Sequence, residues 1–149
     1  MTKGDSAFID TNVLLRAMFR SFPEHGICLN SIETRWEDDV ELWVSRQVLR
    51  ELLVQMTHPR TFVTPLTDEQ IKSRITLVLT LFRVADDTQK TTRELLRIRD
   101  TYPVSGKQIH DANIVATMLE NSISTLLTLN VADFKRYEDR ITVVSPAIG

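Results

Sequence analysis

The chain has 149 residues and a formal net charge of −2, with 18 Lys and Arg against 20 Asp and Glu, so the basic surplus usual in nucleic-acid binders is missing. Any contact with nucleic acid must then be local or assisted by metal ions. One cysteine, Cys28, excludes an internal disulfide and a cysteine-rich zinc site. No apolar run reaches the roughly 20 residues that span a bilayer, and Met1 to Asp5 lack the layout of a signal peptide. A cytoplasmic protein without a membrane segment is expected.

The first element is a buried strand over Ala7-Phe8-Ile9, ending in the carboxylate Asp10 and leading at once into a helix. That helix carries a stripe of Val13, Leu14, Ala17 and Met18, and Ser21-Phe22-Pro23 breaks it. Glu24 to Glu37 reads as a more polar helix, with Ile27, Cys28, Ile32 and Trp36 available for burial. Val40 to Val44 is a strand, and Ser45 is a suitable N-cap for an amphipathic helix over Arg46 to Met56, with Val48, Leu49, Leu52, Leu53 and Met56 inward. Pro59 to Pro65 is a loop.

Thr67-Asp68-Glu69-Gln70 matches a capping box for a helix from Asp68 to about Phe82, with Ile71, Ile75, Val78, Leu79 and Phe82 inward. Arg83-Val84-Ala85 is a short strand, and a helix over Thr88 to Thr101 is closed by Pro103. After a turn at Val104 to Lys107 comes the strongest helical pattern, Gln108 to Asn121, striped by Ile109, Ala112, Ala116 and Leu119. Thr125 to Leu129 reads as a buried strand, Val131 to Tyr137 as a turn, and Ile141 to Val144 as the last strand, closed by Pro146.

Strands alternating with helices imply right-handed crossovers and a mostly parallel sheet with helices on both faces. Ligands of such folds bind beyond the carboxyl ends of the strands. Four acids belong to that edge: Asp10, Glu51, Asp111 and Asp133. Each has a plain alternative. Asp10 can cap a helix, Glu51 can pair with Arg46 or Arg50, Asp111 can favour its helix dipole, and Asp133 can cap the turn at Phe134. Together, four acids at one sheet edge point to divalent cations, since hard oxygen ligands suit Mg²⁺ or Mn²⁺. Without a cation, like charges raise one another's pKa. Such ions support phosphoryl displacement. Thr11, Asn12, Thr128 and Asn130 add neutral groups able to orient the acids or a water. The three histidines form no metal or triad pattern, and His25 and His58 read as exposed. No phosphate-binding glycine loop occurs.

Four segments resemble the motifs of the PIN domain, and specifically those of the VapC-type toxins of type II toxin–antitoxin systems. They are Phe8-Ile9-Asp10-Thr11-Asn12, Val44 to Glu51, Gly106 to Ala112, and Leu127 to Phe134. Their order and separations agree over nearly the whole chain. The resemblance implies a three-layer α/β fold with a central sheet of four to five strands, in a single domain over residues 1–149. It also implies a Mg²⁺- or Mn²⁺-dependent endoribonuclease, inhibited by a cognate antitoxin and commonly a homodimer. Catalysis is assigned to Asp10, Glu51, Asp111 and Asp133, and metal binding to Asp10, Asp111 and Asp133. Asn130 stands where many members carry another acid, so a second ion would bind less tightly. A single-stranded loop is the expected RNA substrate, because a shallow acidic site reaches exposed backbone. Arg46, Arg50, Lys107, Lys135 and Arg136 are the expected RNA contacts.

Two other readings compete. A phosphatase of the haloacid dehalogenase type would use Asp10 as nucleophile, but such chemistry wants a second acid two residues on, where Asn12 stands. A PIN-like module that only binds a partner would not need the acids.

Overall fold

The computed structural model describes residues 5–147; the stretch weighed against a signal peptide thus lies, for residues 1–4, outside the described residues. Chain order is β1 (Ser6–Ile9), α1 (Thr11–Met18), α2 (His25–Glu37), β2 (Glu41–Ser45), α3 (Arg46–Thr57), α4 (Asp68–Leu81), β3 (Arg83–Ala85), α5 (Gln89–Thr101), α6 (Gln108–Glu120), β4 (Thr125–Leu127), α7 (Val131–Phe134) and β5 (Thr142–Val144). A 3₁₀ turn over Lys135–Tyr137 extends α7. The five strands form one sheet in the order β3-β2-β1-β4-β5.

Every pairing is parallel, with Phe8 beside Trp43 and Leu126, Val44 beside Val84, and Leu126 beside Val143. Chain reversal between parallel neighbours needs a crossover, and right-handed crossovers put α1 to α4 on one face. The direction of travel across the sheet reverses between β3 and β4, so α5, α6 and α7 cover the other face. This is the three-layer arrangement read from the sequence, with the sheet wholly parallel.

β1 is the central strand and all four of its residues are buried. Its apolar run therefore lacks alternation, as expected for a strand covered on both sides. Local chemistry fixes the helix starts. The Ser45 hydroxyl accepts from Val48 N at 3.3 Å. Thr67 and Gln70 close a reciprocal capping box, and Thr88 and Thr91 close a second at α5. Gly106 takes φ +58°, the left-handed region that favours glycine, at the turn that sets the start of α6.

The helix faces differ from the sequence pattern at four positions. Leu79 is exposed, together with Leu77 and Leu81. Apolar residues surround the end of α4, so its sequence defines no single stripe, and packing alone selects Val78 for burial. Leu53 stays exposed on α3 while the polar Gln47 is buried. Ile27 and Trp36 remain exposed on α2, where Cys28 and Ile32 supply the inward positions. β4 ends at Leu127, two residues before the predicted strand end, and the turn after Asn130 is helical.

Candidate active site

Asp10 follows the last residue of β1 and serves as N-cap of α1, its Oδ1 accepting from Thr11 N at 2.8 Å. The capping role and the edge position therefore belong to the same side chain. Its Oδ2 accepts from the Thr128 hydroxyl at 2.8 Å and faces Asn12 Nδ2 at 3.5 Å. Asn12 Oδ1 in turn accepts from Leu129 N at 3.2 Å, which ties the end of β1 to the end of β4. The Thr128 hydroxyl also accepts from Asn130 N at 3.0 Å.

Glu51 is held from two sides. Thr11 Oγ1 donates to Oε2 at 2.8 Å and Gln47 Nε2 donates to Oε1 at 2.9 Å. Neither Arg46 nor Arg50 is its partner: Arg46 pairs instead with Asp86 at 2.8 Å, both side chains exposed. Gln47 Nε2 also donates to the His110 carbonyl at 2.9 Å, and its Oε1 accepts from Asn113 Nδ2 at 2.9 Å. The second acid motif is thereby bolted to the helix that carries the third.

Asp10, Glu51 and Asp111 line one open cleft of about 530 Å³, with Thr11, Asn12 and Asn130. Burial pushes the Asp10 carboxyl up to about 6; the Thr128 and Thr11 hydrogen bonds oppose this, and the charges of Glu51 and Asp111 add to it. Asp111 is also pushed up to about 6, first by burial, then by Asp133 and Glu51, against relief from His110 and Arg136. The Asp111 carboxylate accepts no hydrogen bond from a described residue.

Asp133 is exposed and lies outside the cleft lining, acting on Asp111 through charge. It makes no cap for α7. Among the predicted RNA contacts, Arg50, Lys107, Lys135 and Arg136 are exposed, and none of the five lines the cleft. The cations that do line it are Arg16 and Arg60. Arg16 follows Asn12 by one helical turn, a spacing visible in the sequence. Arg60 carries no such signal, because its place depends on how the connection between α3 and α4 folds. His25 is half-buried, its Nδ1 2.8 Å from the Arg16 carbonyl, whereas His58 is exposed as expected.

Among the described residues, no three His, Cys, Asp or Glu side chains close on one point able to hold a metal ion. The donor set still fits Mg²⁺ or Mn²⁺. Mg²⁺ keeps several waters and is commonly held through one or two carboxylates, and the cleft offers Asp10 and Asp111 as charged oxygens whose repulsion a cation would relieve.

These features define a three-layer α/β protein with a carboxylate cleft at the carboxyl edge of a parallel sheet. The chain belongs to the PIN domain family, whose model matches residues 7–139. Comparison with curated protein sequences gives no match. Among solved structures, the chain is similar to one in VapBC2 from Rickettsia felis bound to a promoter DNA fragment, with a TM-score of 0.70, 19% identity and coverage of 94% of this chain and 98% of that one. It is similar also to a chain of a toxin–antitoxin complex from Klebsiella pneumoniae, with a TM-score of 0.65, 21% identity and coverage of 94% and 97%. A third likeness is to Mycobacterium tuberculosis VapC20, a sarcin-ricin loop cleaving toxin, with a TM-score of 0.60, 17% identity and coverage of 80% and 86%. At these identities the likeness is one of fold. Among the described residues no helix is long and apolar enough to cross a membrane.

Proposed function

We propose that this PIN-domain protein is a divalent-metal-dependent endoribonuclease and the toxin of a toxin–antitoxin pair. The observation that carries the reading is the pairing of Asp10 and Asp111 in one open cleft, each carboxyl pushed up to about 6 by burial and by neighbouring acids. Perturbed carboxyls in a cleft mark functional sites because a fold gains no stability by gathering them. Family membership supports the nuclease reading, and the likeness to a chain of a toxin–antitoxin complex and to a sarcin-ricin loop cleaving toxin supports the toxin role and an antitoxin partner.

Asp10 and Asp111 would hold Mg²⁺ or Mn²⁺, with Asn130 as a neutral oxygen donor. When bound, the ion supplies Lewis acidity toward a phosphodiester and a lowered pKa for water. Thr128, Thr11 and Asn12 fix the Asp10 oxygens, while Gln47 and Thr11 fix Glu51 for proton or water handling. Asp133 adds negative charge beside Asp111. Asn12 bridges Asp10 and Leu129 and is not an acid, so the phosphatase reading lacks its second carboxyl. The active form in this reading is a homodimer, which light scattering in solution checks.

The test is cleavage of single-stranded RNA by the purified chain in Mg²⁺ or Mn²⁺, in EDTA, and by Asp10→Asn. Metal-dependent cleavage lost in the variant is expected. Antitoxin binding without cleavage would leave a binding module in its place.

A further inference from the structure

The carboxylate cleft has a second wall that the acids do not account for. It is formed by Arg16, Phe22, Gln55, Arg60 and Thr61. Arg16 is already committed: its guanidinium donates to the Asn12 carbonyl at 3.0 Å, pairs with Glu24 at 3.4 Å and lies over the Phe22 ring. Arg60 has no acidic partner among the described residues. Its position is nevertheless fixed by its turn. The Arg60 amide donates to His58 Nδ1 at 3.0 Å, and the amides of Thr61 and Phe62 return to the His58 carbonyl at 3.0 and 3.1 Å. The Thr61 hydroxyl donates to Gln55 at 2.8 Å. Phe62 packs edge-on against Phe19 and Phe22, with centroids 4.8 and 6.0 Å away, anchoring the turn to the segment that follows α1.

We propose that Arg60 is a phosphate-binding residue for single-stranded RNA, holding a backbone phosphate beside the carboxylates. This rests on the nuclease reading above. A polyanion entering a cleft lined by Asp10, Glu51 and Asp111 is repelled, and a guanidinium in the same lining offsets that repulsion where it acts. The planar fork of Arg matches a phosphate bidentately. The turn's own hydrogen bonds fix the Arg60 backbone at the cleft, and its exposed side chain is free to reach a phosphate there.

The experiment uses the full chain carrying Asp10→Asn, which blocks cleavage, with a short fluorescein-labelled oligouridylate in Mg²⁺ buffer. Anisotropy titrations between about 50 and 200 mM salt give the dependence of affinity on salt. Adding Arg60→Gln is expected to weaken binding severalfold and to make the log–log salt slope shallower by about 0.7, the loss of one single-strand phosphate contact. Arg60→Lys keeps the slope because it keeps the charge. Arg97→Gln on α5, outside the cleft, changes neither. Thermal melts check that Arg60→Gln is folded, as expected for an exposed turn residue. Unchanged affinity and slope in Arg60→Gln overturn the proposal. Where the Asp10→Asn parent binds too weakly to titrate, cleavage kinetics decide: Arg60→Gln in the otherwise native chain raises KM severalfold with kcat preserved, and an unchanged KM overturns it. A native chain that neither binds nor cleaves RNA removes the nuclease reading itself, a result distinct from either.

Discussion

Gln47 and Glu51 stand one helical turn apart on α3 and meet at 2.9 Å, the same amide nitrogen reaching the His110 carbonyl at 2.9 Å. A buried amide with its donor and acceptor groups both engaged is a rigid spacer. It sets the distance between the acid of α3 and the acid of α6, which no single helix could set alone.

Replacing Gln47 with Leu keeps the site buried but strips partners from Asn113, Glu51 and the His110 carbonyl. The expected loss of stability is about 1–3 kcal/mol. Mn²⁺ should also raise the melting temperature less in Gln47→Leu than in the native chain, since Glu51 and Asp111 are no longer held apart. Denaturant unfolding and melts with and without Mn²⁺ measure both. An unchanged metal response would show that the amide serves packing alone.

Asp10 links the site to pH. Its carboxyl lies at about 6 in the folded protein against 3.8 as the ordinary value. The folded state therefore holds its proton more tightly, and its contribution to stability is fully present below about pH 4 and lost as pH rises through about 6. In EDTA, Asp10→Asn should be more stable than the native chain at neutral pH, by up to about 3 kcal/mol, with the gap closing toward pH 4. Urea unfolding across that range decides it.

Metal should close most of that gap. A cation that binds the folded site and not the unfolded chain stabilises by about 2.7 kcal/mol at a hundredfold over its dissociation constant. The native chain should gain this from Mn²⁺, Asp10→Asn and Asp111→Asn far less, and Asn130→Asp more, since it adds a charge to the cleft lining. Calorimetric melts with chelator and with Mn²⁺ give the comparison; equal gains in all four proteins would place the cation elsewhere.

The acids should not count equally in cleavage. Asp10 and Asp111 line the cleft, whereas Asp133 is exposed and touches the site through charge. Asp10→Asn and Asp111→Asn should abolish cleavage and relieve growth arrest on expression in bacteria. Asp133→Asn should reduce kcat partially and shift the acidic limb of the pH–rate profile downward, because a charge that raises Asp111 is gone. A complete loss in Asp133→Asn would give it a direct role.

The alternation of buried strands and amphipathic helices was legible because backbone geometry writes it as a period, and Asp10 and Asp111 were legible because a strand end and a helix start locate a side chain within a residue or two. Asp133 was harder: β4 stops at Leu127, and the following short helix turns that carboxylate outward. Gln47 looks like any polar residue flanking a stripe, since its burial depends on α6 arriving above it. Arg60 leaves no trace, because a turn's placement depends on what Phe62 packs against. Periodic, local features read from sequence; juxtapositions across the sheet do not.

The hydroxyl of Thr128 reaches Asp10 across 118 positions of chain. Asp10 follows the first of the described strands, but its neighbour at the sheet edge follows β4, the fourth of the five in chain order. Loop closure over that span belongs to the late, high-contact-order stage of folding. The carboxylate edge is therefore completed only when β4 docks beside β1, after the local helices and their capping boxes can already have formed.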